Sequence, residues 1–252
     1  ISNLFINRSS DNIGLFGYTN NATISDVGLT NVDITGNSQT GALVGYNYNS
    51  IINNSFSSGT VESTGDNSGG LVGRNEGNNS EINNSYSSVN LTATGTNSNR
   101  TGGLVGWNFE GAKVKNSYAM GNVSGVLGVG GLVGSNENNS RIENSYSIGR
   151  VIGSNYIGGL VGWNNATINN SFWDKETSEQ TTSAGGTGLT TAQFANLSNY
   201  SSWDSSIWEL LSDSSIAGYG VYRPYLKNVT LSNDKKIITL FQGGYGTETN
   251  PY

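Results

Sequence analysis

Residues 102–108 read Gly102-Gly103-Leu104-Val105-Gly106-Trp107-Asn108, and close copies of this stretch occur six times in the 252-residue chain. The leucine of each copy follows the previous one by 28 residues, except for one interval of 33. The six leucines are Leu15, Leu43, Leu71, Leu104, Leu132 and Leu160. A period of this length, kept through six copies, is typical of a solenoid in which each repeat forms one turn.

A second landmark, Asn-Ser-aromatic, follows each of the last five leucines. It stands at residues 54–56, 84–86, 116–118, 144–146 and 170–172. The segments between the landmarks vary in length and are rich in Gly, Ser, Asn and Thr, which indicates corners between short strands. The same residues disfavour helices. The pattern therefore predicts an all-β chain, a right-handed parallel β-helix (β-solenoid) of about six 28-residue coils.

Strand alternation predicts which side chains of the repeat face inward. Leu104 and Asn108 are both predicted to face inward. We expect Asn108 and the asparagines at the equivalent position of the other copies to form a hydrogen-bonded ladder. We expect another inward ladder from the Asn of Asn-Ser-aromatic, with the aromatic residue on the same inward face. Strict alternation places Val105 outside, although its column is apolar in all six copies. The sequence leaves open whether alternation breaks at the glycine or another segment covers the valines.

The composition divides the chain into three regions. Residues 1–173 contain the predicted β-helix. Residues 174–229 are rich in aromatic residues and are predicted to form a C-terminal cap over the open end of the coil. Residues 230–252 are predicted to form a hairpin or linker, with its turn at Asn233-Asp234, and the start of a following module.

Charge and composition exclude several classes of function. The net charge is −6 with a pI near 4.6, whereas nucleic-acid-binding domains are usually basic. No apolar run is long enough to span a bilayer. The chain has no Cys and no His, which removes thiolate and imidazole metal ligands and the usual catalytic triads. We therefore predict no enzyme activity, no metal, no cofactor, no nucleic-acid partner and no membrane insertion.

The column that contains Trp107 is predicted to face solvent, because it also accepts Ser135. We take four of its members as candidate ligand-binding residues, since aromatic faces and an arginine suit sugar rings. They are Tyr46, Arg74, Trp107 and Trp163. The predicted partner is a host cell-surface glycan or glycoprotein, and neighbouring modules of the same chain are a further possibility. Carboxylates such as Glu76 and Glu137 keep no constant position, so a carbohydrate-active β-helix enzyme is the less favoured alternative.

The motif Gly-Gly-Leu-Val-Gly followed by Asn-Ser-Tyr/Phe, over residues 14–173, resembles the GLUG repeat of large bacterial surface and secreted proteins. Such repeats occur in filamentous-haemagglutinin-like exoproteins and high-molecular-weight adhesins, the kind of virulence protein exported by two-partner secretion. The resemblance implies a secreted or cell-surface protein that mediates adhesion. A passive stalk that displays other binding domains is the alternative. GLUG repeats also flank IgA-cleaving metallopeptidases, so the repeat alone fixes no function.

Asn-x-Ser/Thr sequons are frequent in the chain. Some adhesins that the chain resembles are glycosylated on such asparagines, and the resemblance therefore implies a glycoprotein. The candidate sites are Asn78, Asn99, Asn138, Asn165 and Asn228.

Overall fold

The computed structural model describes residues 1–95, 99–209 and 223–229. It confirms an all-β solenoid of about six parallel turns, whose strands are numbered here in chain order. Each complete turn has four sides, and equivalent strands of successive turns pair in parallel to form four sheets. None of the helices in these ranges has the length and hydropathy needed to cross a bilayer.

The four sheets are named A to D. Sheet A contains β2 (Phe16–Asn20), β6 (Val44–Tyr48), β10 (Val72–Glu76), β14 (Val105–Phe109), β19 (Val133–Asn136) and β24 (Val161–Asn164). Sheet B contains β3 (Thr23–Ser25), β7 (Ile51–Asn53), β11 (Glu81–Asn83), β15 (Lys113–Lys115), β20 (Arg141–Glu143) and β25 (Thr167–Asn169). Sheet C contains β1 (Phe5–Asn7), β4 (Gly28–Gly36), β8 (Phe56–Ser63), β12 (Tyr86–Ala93), β16 (Tyr118–Ala119), β17 (Val123–Ser124), β21 (Tyr146–Ser147), β22 (Val151–Ile152), β26 (Phe172–Asp174) and β27 (Thr187–Leu189). Sheet D contains β5 (Thr40–Gly41), β9 (Ser68–Gly69), β13 (Asn99–Gly102), β18 (Leu127–Gly130) and β23 (Asn155–Gly158).

The chain bends at Gly103-Leu104, between β13 and β14, and this bend interrupts the alternation of the strand. Leu104 and Val105 are both fully buried in the core. Their amide nitrogens donate to the same acceptor, the carbonyl oxygen of Leu132, at 2.9 and 3.1 Å. Of the two explanations left open for the apolar valine column, the break in alternation is therefore the one found, and the outward position from strict alternation is wrong.

On both sides of the bend, sheets A and D approach so closely that only glycine fits between their backbones. A Cβ on Gly102 would clash with the carbonyl oxygen of Val105. A Cβ on Gly106 would lie 2.5 Å from the amide nitrogen of Ser68, closer than real Cβ contacts come. The glycines of the repeat are thus required by backbone packing, one on each side of the bend.

The asparagine ladder predicted at Asn108 is confirmed. Asn108 is fully buried, and its Nδ2 donates to Asn136 Oδ1 at 2.8 Å and to the carbonyl oxygen of Ala112 at 3.1 Å. The same side-chain bond joins every successive pair of the column at 2.7–2.9 Å, in the order Thr19, Asn47, Asn75, Asn108, Asn136 and Asn164. One buried polar chain therefore runs the length of the solenoid.

The asparagines of Asn-Ser-aromatic do form side-chain bonds between turns, from Asn54 to Asp26, Asn84 to Asn54 and Asn144 to Asn116 at 3.2–3.4 Å, but they lie at a half-buried corner, and a ladder of buried serines runs beside them. Asn116 has a φ of 45°, in the left-handed region, and its side chain is half-buried at the corner between sheets B and C. Ser117 is fully buried, and its Oγ accepts from the amide nitrogen of Ser85 at 3.2 Å and donates to the carbonyl oxygen of Lys115 at 2.6 Å. The predicted inward position of this asparagine is wrong because a left-handed corner residue turns its side chain out of the strand alternation.

The aromatic residue of Asn-Ser-aromatic also lies outside the core that contains the leucines and valines. Its column consists of Phe56, Tyr86, Tyr118, Tyr146 and Phe172. The first four rings stack nearly parallel, with adjacent centroids 4.8–5.0 Å apart and planes within 4°. The predicted inward face is therefore wrong for these residues, and the stacked column needs a cover of its own.

The region predicted as a cap closes the end of the solenoid and also covers one side of it. At the end, Trp173 is 6% exposed and packs on the core, and β27 adds a last strand beside β26. A segment that we call the strap, residues 190–209 and 223–229, then covers the aromatic column. Its elements are α2 (Thr191–Phe194), a 3₁₀ turn (Leu197–Tyr200) and the antiparallel strands β28 (Trp208–Glu209) and β29 (Tyr225–Leu226). The predicted hairpin and linker at residues 230–252 lie outside the described residues.

The strap packs its own aromatic rings against the column. Trp208 lies 6.1 Å from Tyr118 and 6.0 Å from Tyr146 between ring centroids, and Phe194 lies 5.7 Å from Tyr146. The Tyr146 hydroxyl donates to the carbonyl oxygen of Pro224 at 2.7 Å. Aromatic packing and this buried hydrogen bond hold the strap on sheet C.

Asp174 connects the end of the solenoid to the strap. This fully buried carboxylate begins α1 (Lys175–Ser178), where it accepts from the amide nitrogens of Glu176 and Thr177 at 3.0 and 3.2 Å. It also accepts from the Thr191 hydroxyl at 2.9 Å, and Arg223 Nη2 lies 3.7 Å from its Oδ2. Both parts of the strap are thereby anchored to one buried charge.

We expect Asn108→Leu to lower the free energy of unfolding by about 1–3 kcal/mol, because the substitution removes the buried bonds that Asn75 and Asn136 form with Asn108. The exposed Asn169 of β25 supplies the matched control, and Asn169→Leu should leave stability nearly unchanged. Urea unfolding followed by circular dichroism measures both variants. Equal stabilities for Asn108→Leu and the wild type would contradict the buried ladder.

We also expect the protein to lose stability in alkali through the tyrosine column. Burial raises the pKa of Tyr86 to about 12 and raises the pKa of Tyr118 well above its ordinary value. The folded state keeps these protons while the unfolded chain releases them near pH 10, so stability is complete below that pH and falls as pH rises towards 12.

Tyr86→Phe tests this expectation, because phenylalanine already stands in the column at Phe56 and Phe172. The variant should match the wild type at neutral pH and should lose stability less steeply above pH 10, by about 1.4 kcal/mol per pH unit. Urea unfolding at a series of pH values measures the slope, with the exposed Tyr156→Phe as the control. Identical slopes for Tyr86→Phe and the wild type would show that this side chain does not titrate differently on unfolding.

Candidate functional site

The outer face of sheet A carries the predicted ligand-binding residues in one line. The parallel register places Arg74 beside Tyr46 and Trp107, and Ser135 beside Trp107 and Trp163. The complete column runs in the order Tyr18, Tyr46, Arg74, Trp107, Ser135 and Trp163. Tyr18 and Trp163 are exposed as expected, whereas the middle of the column is half-buried and Ser135 is only 3% exposed.

Arg74 lies at the centre of a group of side chains that contact one another on the outer face of sheet A. The Arg74 guanidinium lies between the two rings, 4.8 Å from the Tyr46 centroid and 4.4 Å from that of Trp107. Arg74 also forms an ion pair with Glu76, which accepts from the Tyr46 hydroxyl at 2.7 Å. Burial and this hydrogen bond raise the pKa of Tyr46. The charge of Arg74 is therefore already neutralised by the protein's own carboxylate.

A second arginine completes this surface from the neighbouring sheet. Arg100, in β13 of sheet D, places its guanidinium 4.2 Å from the Trp107 ring centroid, and its Nε lies 3.4 Å from Glu137 Oε1. Its backbone φ is 64°, in the left-handed region. Arg100 was not predicted because it lies in the longest variable segment of the sequence, although the structure places it in one column of sheet D with Gly128 and Tyr156.

A depression of about 340 Å³ lies on the other side of Arg100, where the column has its smallest side chain. Trp163 and Tyr156 form one wall, with ring centroids 5.0 Å apart and planes at 82°. The residues that line the depression are Asn99, Arg100, Leu127, Gly128, Ser135, Glu137, Tyr156 and Trp163. Of the four predicted residues, only Trp163 belongs to this lining.

The lining combines exposed aromatic faces with a small number of polar groups. Arg100 supplies N–H donors, Glu137 supplies a carboxylate and Ser135 supplies a hydroxyl. No group of three or more acidic, His or Cys side chains suited to a metal ion occurs among residues 1–95, 99–209 and 223–229. Such a lining suits a ligand that has both an apolar face and hydroxyl groups.

The candidate glycosylation sites occupy two kinds of position. The exposed asparagines are Asn78, Asn138, Asn165 and Asn228. Asn99 is half-buried at the edge of the depression, and its Nδ2 donates to Asp66 Oδ1 at 3.2 Å. Glycosylation at these positions stays a prediction.

Comparison with known proteins agrees with the repeat and with the fold. Residues 36–62, 97–124 and 125–152 match the GLUG motif. None of the curated proteins matches the chain in sequence. The structure is similar to the crystal structure of a candidate immunoglobulin A1 protease from Bacteroides ovatus, with a TM-score of 0.64 and 19% identity over 90% of this chain and 74% of that one. The chain thus carries at least three GLUG motif repeats on a β-solenoid, and its likeness to adhesins stays a prediction.

The two tryptophans of the column should differ in their contribution to stability. We expect Trp107→Ala to lower the free energy of unfolding by about 1–2 kcal/mol, because each of its two arginine contacts contributes about 0.5–1 kcal/mol. Trp163 is 42% exposed, and Trp163→Ala should change stability by less than about 0.5 kcal/mol. Urea unfolding compares the pair, and equal losses would mean that the arginine contacts of Trp107 contribute nothing.

Proposed function

We propose that this chain is a non-enzymatic repeat module of a secreted or surface-exposed bacterial exoprotein, and that it adheres to host cell-surface glycans or glycoproteins through the outer face of sheet A. The observation that carries the proposal is the exposed aromatic pair Tyr156 and Trp163 beside a polar depression. Three GLUG motif repeats and the β-solenoid fold support a secreted repeat module.

A glycan ligand accounts for the exposure of these rings. Tyr156 and Trp163 are 57% and 42% exposed, although the strap shows that this chain buries aromatic residues elsewhere. Sugar rings present C–H faces that stack on aromatic rings and hydroxyls that bond to arginine and carboxylate groups. The alternative partner is a neighbouring module of the same chain, which would contact the same surface.

A passive stalk is the second candidate function. The asparagine ladder joins six successive turns, and the serine bonds run alongside it. Continuous ladders of this kind make a stiff spacer that displays other binding domains. A stalk, however, gives no reason for the exposed tryptophan, which is why adhesion is preferred.

An enzymatic role is less favoured than either. The name of the Bacteroides ovatus protein indicates a protease, but this sequence has no His and no Cys. A zinc site of the His-Glu-x-x-His type and a cysteine nucleophile are therefore impossible. Glu76, in β10 of sheet A, and Glu137, directly after β19, are each paired with an arginine. These carboxylates are thus held by the protein's own arginines rather than presented as a catalytic acid–base pair.

Binding of the purified chain to a glycan array and to epithelial cells tests adhesion. We expect the wild type to bind, and the double variant Trp107→Ala, Trp163→Ala to bind at least about tenfold more weakly, since each lost aromatic platform contributes about 0.5–1.5 kcal/mol. The control is Ile152→Ala, which removes an exposed apolar side chain from sheet C. Absence of wild-type binding to both surfaces would overturn adhesion and favour the stalk.

A further inference from the structure

The outward column of sheet A, which contains Trp107 and Trp163, carries a small side chain at one position. Ser135 stands in register between Trp107 and Trp163. Paired strands lie about 4.8 Å apart, so the two tryptophan positions are separated by roughly 9.6 Å along the column. The small serine side chain leaves this space open as the depression of about 340 Å³. Ligand pockets usually have volumes of about 300–1,000 Å³, so the space suits a ligand of one or two sugar rings.

The wall at Trp163 has the geometry of a ring-binding corner. Trp163 and Tyr156 meet at 82°, so that one ring can stack on a flat ligand while the other contacts the edge of that ligand. Both side chains are exposed beside the depression. The corner therefore offers a ligand both an aromatic face and an aromatic edge.

The opposite wall is held in place before any ligand arrives. Arg100 is fixed between the Trp107 ring at 4.2 Å and the Glu137 carboxylate at 3.4 Å. A side chain that is already ordered loses little conformational entropy on binding. The remaining N–H groups of Arg100 and the second oxygen of Glu137 are therefore preorganised to meet ligand hydroxyls.

The charges of the depression indicate a neutral ligand. Arg100 and Glu137 are the cation and the anion of its lining, and they form an ion pair with each other. Glu137 would repel the carboxylate of an acidic sugar, and Arg100 would repel the ammonium group of an amino sugar. Hydroxyl groups, by contrast, can form hydrogen bonds to both residues. We infer that the depression at Ser135 binds a single neutral pyranose residue of a glycan, stacked on Trp163 with hydroxyls on Arg100 and Glu137. This inference rests on the proposed adhesion to glycans.

A variant that fills the depression tests the inference. The same column holds tryptophan one position away on either side of Ser135, so Ser135→Trp places an indole where the sheet already accepts one. Tyr18→Trp is the matched control, because it adds an indole to the exposed end of the same column. Near-ultraviolet circular dichroism and urea unfolding of the full chain establish that both variants are folded.

The probes are the methyl glycosides of glucose, galactose, mannose and N-acetylglucosamine, with methyl glucuronide as the acidic comparison. Saturation-transfer NMR and tryptophan fluorescence titration measure their binding to the full chain. We expect at least one neutral glycoside to bind the wild type and Tyr18→Trp equally, and Ser135→Trp at least about tenfold more weakly. Tyr156→Ala should weaken the binding of the same glycoside about tenfold. Because this side chain is exposed, Tyr156→Ala keeps the test decisive if Ser135→Trp is unstable.

The outcomes separate this inference from the proposed function. Array binding that survives both Ser135→Trp and Tyr156→Ala would overturn the depression as the site while leaving adhesion intact, with the Tyr46 and Trp107 surface as the remaining location. Stronger binding of the glucuronide than of every neutral glycoside would overturn the assigned ligand class. A wild type that binds no glycan on the array and no glycoside would overturn both.

Discussion

Contact between two backbones at the glycine bend is the constraint on which the rest of the solenoid depends. Gly102 and Gly106 lie where sheets A and D meet without side chains between them. A shift of one residue in any turn would bring a Cβ into this space, so the register between turns is fixed. With the register fixed, each position of the repeat meets its own copies in the neighbouring turns. Every column of the molecule follows from that condition.

The same stacking gives different results according to what covers each column. Inside the coil, Asn108 satisfies its neighbours by hydrogen bonds that water cannot reach. On sheet C, the stacked rings around Tyr118 are covered by the strap. On sheet A, arginine inserts beside Trp107, and the exposed end at Trp163 has no cover among the described residues. The uncovered column is therefore the one that a ligand can reach.

Sequence periodicity predicted the features that depend on strand spacing, and it failed where the backbone leaves the strand. The solenoid, the ladder of Asn108 and the alignment of Trp107 with Trp163 all follow from counting along the repeat. The predicted inward orientation of the Asn116 side chain was wrong because a residue in the left-handed region interrupts the alternation of the strand. Arg100 and Tyr156 share one column of sheet D, in left-handed backbone, and they were missed because this column, which also contains Gly128, keeps no constant residue type.

The asparagine ladder has a direction. The Thr19 hydroxyl donates to Asn47, and each asparagine amide then donates towards the next turn along the chain as far as Asn164, so the dipoles point the same way and polarise one another. An interior member takes part in two of these bonds and a terminal member in one. The interior of the rod is thus a cooperative unit that frays from its ends, one turn at a time, and a defect in the middle divides it into two shorter units.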